Sequence, residues 1–203
     1  PHDTLKLYAQ YIGKYPSVNV FHARTILINQ NDKPFYVTNA RAEHESVYSL
    51  IRHRMNDEYQ FVGDFCYKVS KLRELGGYIK FPLAWGSDDV TAYAMAEDSG
   101  IVNLIEPSFC YRVNTLSITN NGNIAIKINA TNIQRAWFND FFISLALDFI
   151  KCGINKYLDK KIVGYISIDI KKNWLHLFSW IFNRNKFGIT KNMLLVGILK
   201  SFK

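Results

Sequence analysis

Breakers and staples are scarce in this chain: 203 residues hold only 5 Pro, 11 Gly and 3 Cys. That scarcity excludes collagen-like, linker-type and disulfide-stapled chains. The cysteines, Cys66, Cys110 and Cys152, are odd in number, far apart and without any CxxC or Cys/His spacing, so they read as reduced core thiols. No run of about 18 uncharged apolar residues exists, the longest candidate being interrupted by Asp140 and Asp148, and a spanning helix is excluded. The chain opens Pro1-His2-Asp3 with no basic-then-apolar segment before a small-residue cleavage site, so no signal peptide is expected in it. Several chemical signatures are missing too. His2, His22, His44, His53 and His176 form no HExxH or other ligand spacing, and there is no Gly-rich phosphate loop and no GxSxG.

What is present is apolar and aromatic: 48% of residues are hydrophobic and 15% aromatic, enough for a packed core. The net charge of +8 is spread unevenly. Residues 1–150 carry 14 Lys/Arg against 15 Asp/Glu, whereas 151–203 carry 11 against only Asp159 and Asp169. An anionic partner is therefore expected at the C-terminal quarter.

Periodicity predicts a short amphipathic helix over 3–13, ended by Gly13 and Pro16. Val18 to Ile28 is apolar on both parities, as in a strand covered on two faces, and Phe35 to Thr38 returns after a polar turn as an edge strand. A helix is expected over 43–55, then the clearest strand of the chain over Tyr59 to Val69, where Tyr59, Phe61, Phe65, Tyr67 and Val69 share one face. Lys71 to Leu75 reads as a helical turn closed by Gly76-Gly77. Ser87 caps a helix running to Ser99, with Asp88 and Asp89 in its first turn and Gly100 as its stop. Ile101 to Val113 reads as strand broken by Pro107. Asn121-Gly122, between Ser117-Ile118-Thr119 and the alternating Ile124, Ile126 and Ile128, reads as a hairpin. From Thr131 the pattern is helical to Gly153, and again near 157–168, 174–182 and 191–199. The fold class is α/β, with a boundary at 128/129 between a mixed domain and an all-helical extension.

One stretch is more informative than the rest. A strand is followed by Leu72-Arg73-Glu74-Leu75-Gly76-Gly77-Tyr78. Trp85-Gly86-Ser87-Asp88-Asp89-Val90 then opens a helix, and Gly100, Phe109-Cys110-Tyr111-Arg112 and Ser117 complete the series. This order and spacing resembles the C-terminal portion of an inverting GT-A glycosyltransferase of the family-2 type, over roughly residues 1–120. The resemblance implies the second half of a GT-A mixed-sheet fold in residues 1–128 and a sugar transfer from a nucleotide-diphospho-sugar to a carbohydrate or lipid-linked acceptor. It also implies a bacterial cell-surface polysaccharide or glycolipid setting. Asp89 matches the general base, and an acceptor hydroxyl needs a positioned carboxylate to take its proton. Asp88, Trp85, Gly76, Gly77, Tyr111 and Arg112 match substrate-binding positions. All but Tyr111 also have a plainer explanation. Two acids in a first turn favour the helix dipole, a Gly pair permits positive φ, Trp85 packs in a core, and Arg112 is an exposed strand-end residue.

The resemblance departs at the donor side. A complete member has nucleotide-binding βαβ units and a metal-binding DxD, and His2-Asp3-Thr4 is not that motif. The expectation is therefore a chain inactive alone, with Mn or Mg used by the complete enzyme and no cofactor held tightly here. Gln134-Arg135-Ala136-Trp137 resembles the QxxRW element of processive members at the wrong spacing.

In the basic quarter, Trp174, Leu177, Phe178 and Ile181 form an apolar stripe among Lys171, Lys172, Arg184, Lys186 and Lys191. The pattern resembles a helix lying on an anionic membrane, against the alternative of packing within the protein. No nucleic-acid reader motif is present. The expected location is cytoplasmic, peripheral on the inner face of the membrane. The competing reading of the whole chain is a non-catalytic interaction or membrane-recruitment module.

Overall fold

A computed structural model describes residues 3–114, 122–143 and 148–203. It divides into two compact units, Pro1–Lys80 with Ser87–Ser117, and Phe81–Gly86 with Ile118–Lys203. The division falls near 117 rather than 128, and the second unit takes six residues from the middle of the first.

The first unit is mixed α/β. Helix α1 (Thr4–Lys14) precedes β1 (Val20–Ile28), β2 (Pro34–Val37), β3 (His44–Glu45), α2 (Val47–Met55), a 3-10 turn at Val62–Asp64, β4 (Phe65–Tyr67), α3 (Val69–Glu74), α4 (Ser87–Ala96) and β5 (Ile101–Arg112). The sheet is ordered β2-β1-β5-β3, with β4 also on β1. The central pair β1 and β5 is parallel, and β2, β3 and β4 pair antiparallel. Burial of β1 on both faces follows from its two-parity apolar pattern. Tyr8 of α1 packs with Val18, Phe21, Ala23, Val102 and Leu104.

Several sequence expectations change here. Pro107 does not end β5. It pairs with Arg24 at a register irregularity, where a missing N–H is tolerated. The alternating run from Tyr59 is mostly not strand, because Asp64 is fully buried and its carboxylate accepts the Phe61 N–H at 3.2 Å, closing a 3-10 turn before the three-residue β4. Helix α2 begins only after Ser46, whose Oγ accepts the Ser49 N–H at 3.3 Å, and Glu45 stands in β3. Cys66 is half-buried and Cys110 exposed, so Cys110 is no core thiol.

The second unit is helical: a 3-10 turn at Pro82–Ala84, then α5 (Ile124–Ile143), α6 (Asp148–Lys172), α7 (His176–Asn183) and α8 (Lys191–Ser201). The expected second hairpin strand is the first turn of α5. Asn123 Oδ1 accepts the Ile126 N–H at 3.1 Å, which turns Ile128 into the core and leaves Ile126 exposed. Ser117-Ile118-Thr119 and Asn121 lie outside the described residues. Gly153 stops nothing, since α6 runs through both it and Gly164. Ile128, Ile162, Ile166, Trp180, Met193 and Leu194 form the core of this unit. Gly197 is required there, because a Cβ on it would lie 2.9 Å from Ile166.

Candidate functional site

Gly86, with φ of +81°, turns the chain into α4, and Gly100, with φ of +69°, turns it out again. Asp88 and Asp89 therefore sit in the first helical turn, as expected, but their environments are unlike. Asp89 is 2% exposed, and its Oδ2 accepts from Arg54 Nε of α2 at 3.0 Å. With its amide oriented to satisfy both neighbours, buried Gln60 donates to Asp89 Oδ1 at 3.3 Å and accepts from Arg41 at 3.0 Å. Asp89 is thus held on both oxygens. Asp88 is half-buried, and burial, then the Asp89 charge, push its carboxyl up to about 6.

Two phenols respond to Asp88. Burial raises the Tyr67 hydroxyl, with Tyr78, Asp88 and Asp89 adding to the effect. The Tyr67 hydroxyl is buried with no hydrogen-bond partner among the described residues. Tyr78 meets Tyr67 edge-on at 5.7 Å and is raised by its own burial and by Asp88. Gly76 and Gly77 place it. They take φ of +77° and +93°, their N–H groups bond back to Arg73 and Leu72 carbonyls, and Ile79 N–H then donates to Thr91 Oγ1 of α4 at 3.0 Å. No atom stands within 4 Å of a Cβ built on either glycine, so turn conformation is their requirement.

The Asp89 clamp continues as a partly buried polar chain. Arg54 also donates to the Glu58 carbonyl at 3.2 Å, and Arg41 faces the Glu58 carboxylate at 3.5 Å. His53 contacts Glu58 at 2.9 Å and Glu45 at 3.1 Å. Asn103 joins Glu45 to His22, and His22 faces Asp64. Beside this chain opens a cleft whose lining includes Tyr36, Tyr59, Asn39, Arg41, Asn56 and Glu58. Tyr59 is 50% exposed and belongs to an aromatic row, edge-on to Tyr36 and stacked on Phe61, which stacks in turn on Tyr111 at 3.8 Å.

Arg112 and Trp85 have partners of their own. Arg112 closes the turn after β1, donating to the carbonyls of Asn29 at 3.0 Å and Gln30 at 3.3 Å and pairing with Asp32. Trp85 belongs to the helical unit. Its Nε1–H donates to Tyr165 Oη at 2.9 Å, and Lys127 Nζ lies 4.5 Å from its ring centroid. Gln134 lies against Gly86, where a Cβ would meet its amide at 2.9 Å. Arg54, Gln60, Tyr67 and the Tyr36–Tyr59 cleft were not singled out in the sequence. The aromatic alternation from Tyr59 was the visible signal for Tyr59 and Tyr67, and it indicated a strand.

Among the described residues no group of three or more His, Cys, Asp or Glu side chains could hold a metal ion, and residues 1–203 contain no DxD. The described residues thus do not form a site for the divalent ion that the resemblance implies. Comparison with protein families, with curated proteins and with solved structures finds no match.

Proposed function

We propose that the mixed α/β unit is the acceptor-side half of a GT-A glycosyltransferase and that Asp88, rather than the expected Asp89, accepts the proton of the attacking hydroxyl. The observation that carries this reading is the unlike pair of neighbouring carboxylates. Asp89 is occupied by Arg54 and Gln60, while Asp88 is raised to about 6, near the pH at which a general base works best. The Tyr36–Tyr59 cleft combines aromatic faces with amide and carboxylate groups, a lining that suits the apolar face and hydroxyl rim of a pyranose.

In the step proposed, the acceptor oxygen bonds to the anomeric carbon as the bond from that carbon to the diphosphate breaks. The hydroxyl proton passes to Asp88, and the diphosphate departs with the electron pair, giving inversion. Asp89 acts through Arg54, fixing the frame that holds Asp88.

The test uses the longest reading frame that contains this chain, supplied with UDP- and GDP-sugars, Mn²⁺ and a panel of glycan acceptors. Asp88→Asn is expected to lower kcat by on the order of a hundredfold or more. It should also abolish an acidic limb of the pH–rate profile near pH 6, the region set by the raised carboxyl. Near-normal turnover in Asp88→Asn with loss in Asp89→Asn returns the role to Asp89. Turnover that depends on neither residue removes both from the base role, and no sugar transfer with any donor and acceptor supports the interaction module instead.

A further inference from the structure

We propose that α7 and the turn leading into it form a docking element for an anionic membrane surface, lying in the lipid interface with Trp174 of the turn and Phe178, Ile181 and Phe182 of the helix turned into it. A helix buries one stripe when it packs on a domain. Helix α7 does this with Trp180, which is buried in the helical core and donates from Nε1 to Asp169 at 2.9 Å. The opposite arc is also apolar. Trp174 is 65% exposed and Phe182 82% exposed, with Leu175, Phe178 and Ile181 exposed beside them. At 100° per residue, positions 178, 181 and 182 of the helix fall within one arc of about 100°, and Trp174 and Leu175 lie exposed in the turn that leads into it. Such an arc in water is a patch that requires a cover.

The charge around the arc identifies the cover. Residues 171–203 hold Lys171, Lys172, Arg184, Lys186, Lys191, Lys200 and Lys203 and not one Asp or Glu. Lys171 and Lys172 precede the helix, and Lys186 follows it, all exposed. An apolar patch made of this arc and the Trp174 turn, flanked by cations at both ends, is complementary to a surface with anionic headgroups above an acyl layer. The next helix has the same character, since α8 exposes Leu195 and Leu199, and Phe202 just after it is exposed near Lys200 and Lys203. No helix among the described residues is long and apolar enough to cross a membrane, so the contact is interfacial. The proposal does not rest on the glycosyltransferase reading.

Deletion is the wrong test, because removing residues 170–203 strips Trp180, Ile189, Met193 and Leu194 from the helical core. The 203-residue chain is instead floated with vesicles of equal parts phosphatidylglycerol and phosphatidylcholine, or of phosphatidylcholine alone. Binding to the anionic vesicles alone is expected, and it should weaken as salt rises from about 0.1 M to about 1 M. The triple variant Trp174→Ser/Phe178→Ser/Phe182→Ser should lose about tenfold or more in vesicle affinity, and Lys171→Gln/Lys172→Gln/Lys186→Gln a similar factor. All three apolar positions are exposed, so circular dichroism should show both variants folded. Failure of the intact chain to bind anionic vesicles at low salt overturns the proposal. So does unchanged binding in the apolar variant. Dimerisation of the free chain that is lost in that variant, without vesicle binding, assigns the arc to a second copy.

Discussion

Asp88 is where one side chain's physics reaches furthest. Its carboxyl is raised from the ordinary carboxylate range to about 6, so the folded protein holds its proton more tightly than the unfolded chain does. Below pH 4 this favours the fold. As pH rises through 6 that advantage is lost, and above 6 the desolvated charge is a net cost. Allowing for its partial exposure, the cost at neutral pH is about 1–2 kcal/mol. Asp88→Asn is therefore expected to raise Tm by a few degrees at pH 8 and to give no gain at pH 4, as measured by thermal unfolding at the two pH values. Asp89→Asn should do the opposite. Neutralising Asp89 removes the charge that the Arg54 Nε–H bonds, and a loss of about 2 kcal/mol is expected in urea titration at pH 7. The opposite signs at adjacent acids distinguish a poised group from an anchored one.

At the scale of elements, α4 is defined by its two glycines. A Cβ on Gly100 would lie 2.3 Å from the Glu45 carbonyl oxygen, in a backbone conformation that side chains rarely take. Gly100→Ala is expected to cost at least about 3 kcal/mol, read from the urea midpoint, since both strain and a backbone clash must be relieved. Gly76→Ala meets open space and pays only for its positive φ, about 1 kcal/mol. Helices α1, α4, α7 and α8 and strand β1 were legible because spacing, caps and stops are local signals. The run from Tyr59 to Val69 was misleading. A buried Asp64 taking the Phe61 N–H decides that turn, and Thr25, which also bonds Asp64 at 3.0 Å, is 39 residues away.

At the scale of the whole molecule, the chain weaves Phe81–Gly86 into the helical unit before returning to the mixed one. Trp85 is the anchor of that excursion, through Tyr165 and Lys127. Trp85→Phe removes the indole donor and weakens the cation–π contact, an expected loss of about 1–2 kcal/mol confined to the helical unit. Hydrogen exchange should rise in α5 and α6 while β1 and β5 keep their protection. Equal loss in β1 would show instead that the segment serves the mixed unit.

The sequence by itself determined the α/β class, the acidic helix start, the Gly-Gly turn and the basic, aromatic C-terminal helices, because each depends on residues within one or two turns of each other. Tertiary structure decided the rest. Which of two adjacent aspartates is neutralised depends on Arg54, 35 positions earlier in the chain, and on Gln60. Whether Trp85 meets solvent or a helix depends on Tyr165, 80 positions later. Whether the arc of α7 is covered depends on how Trp180 seats that helix. Burial and ion pairing between distant segments are properties of the packed chain, and they leave no periodic trace in the sequence.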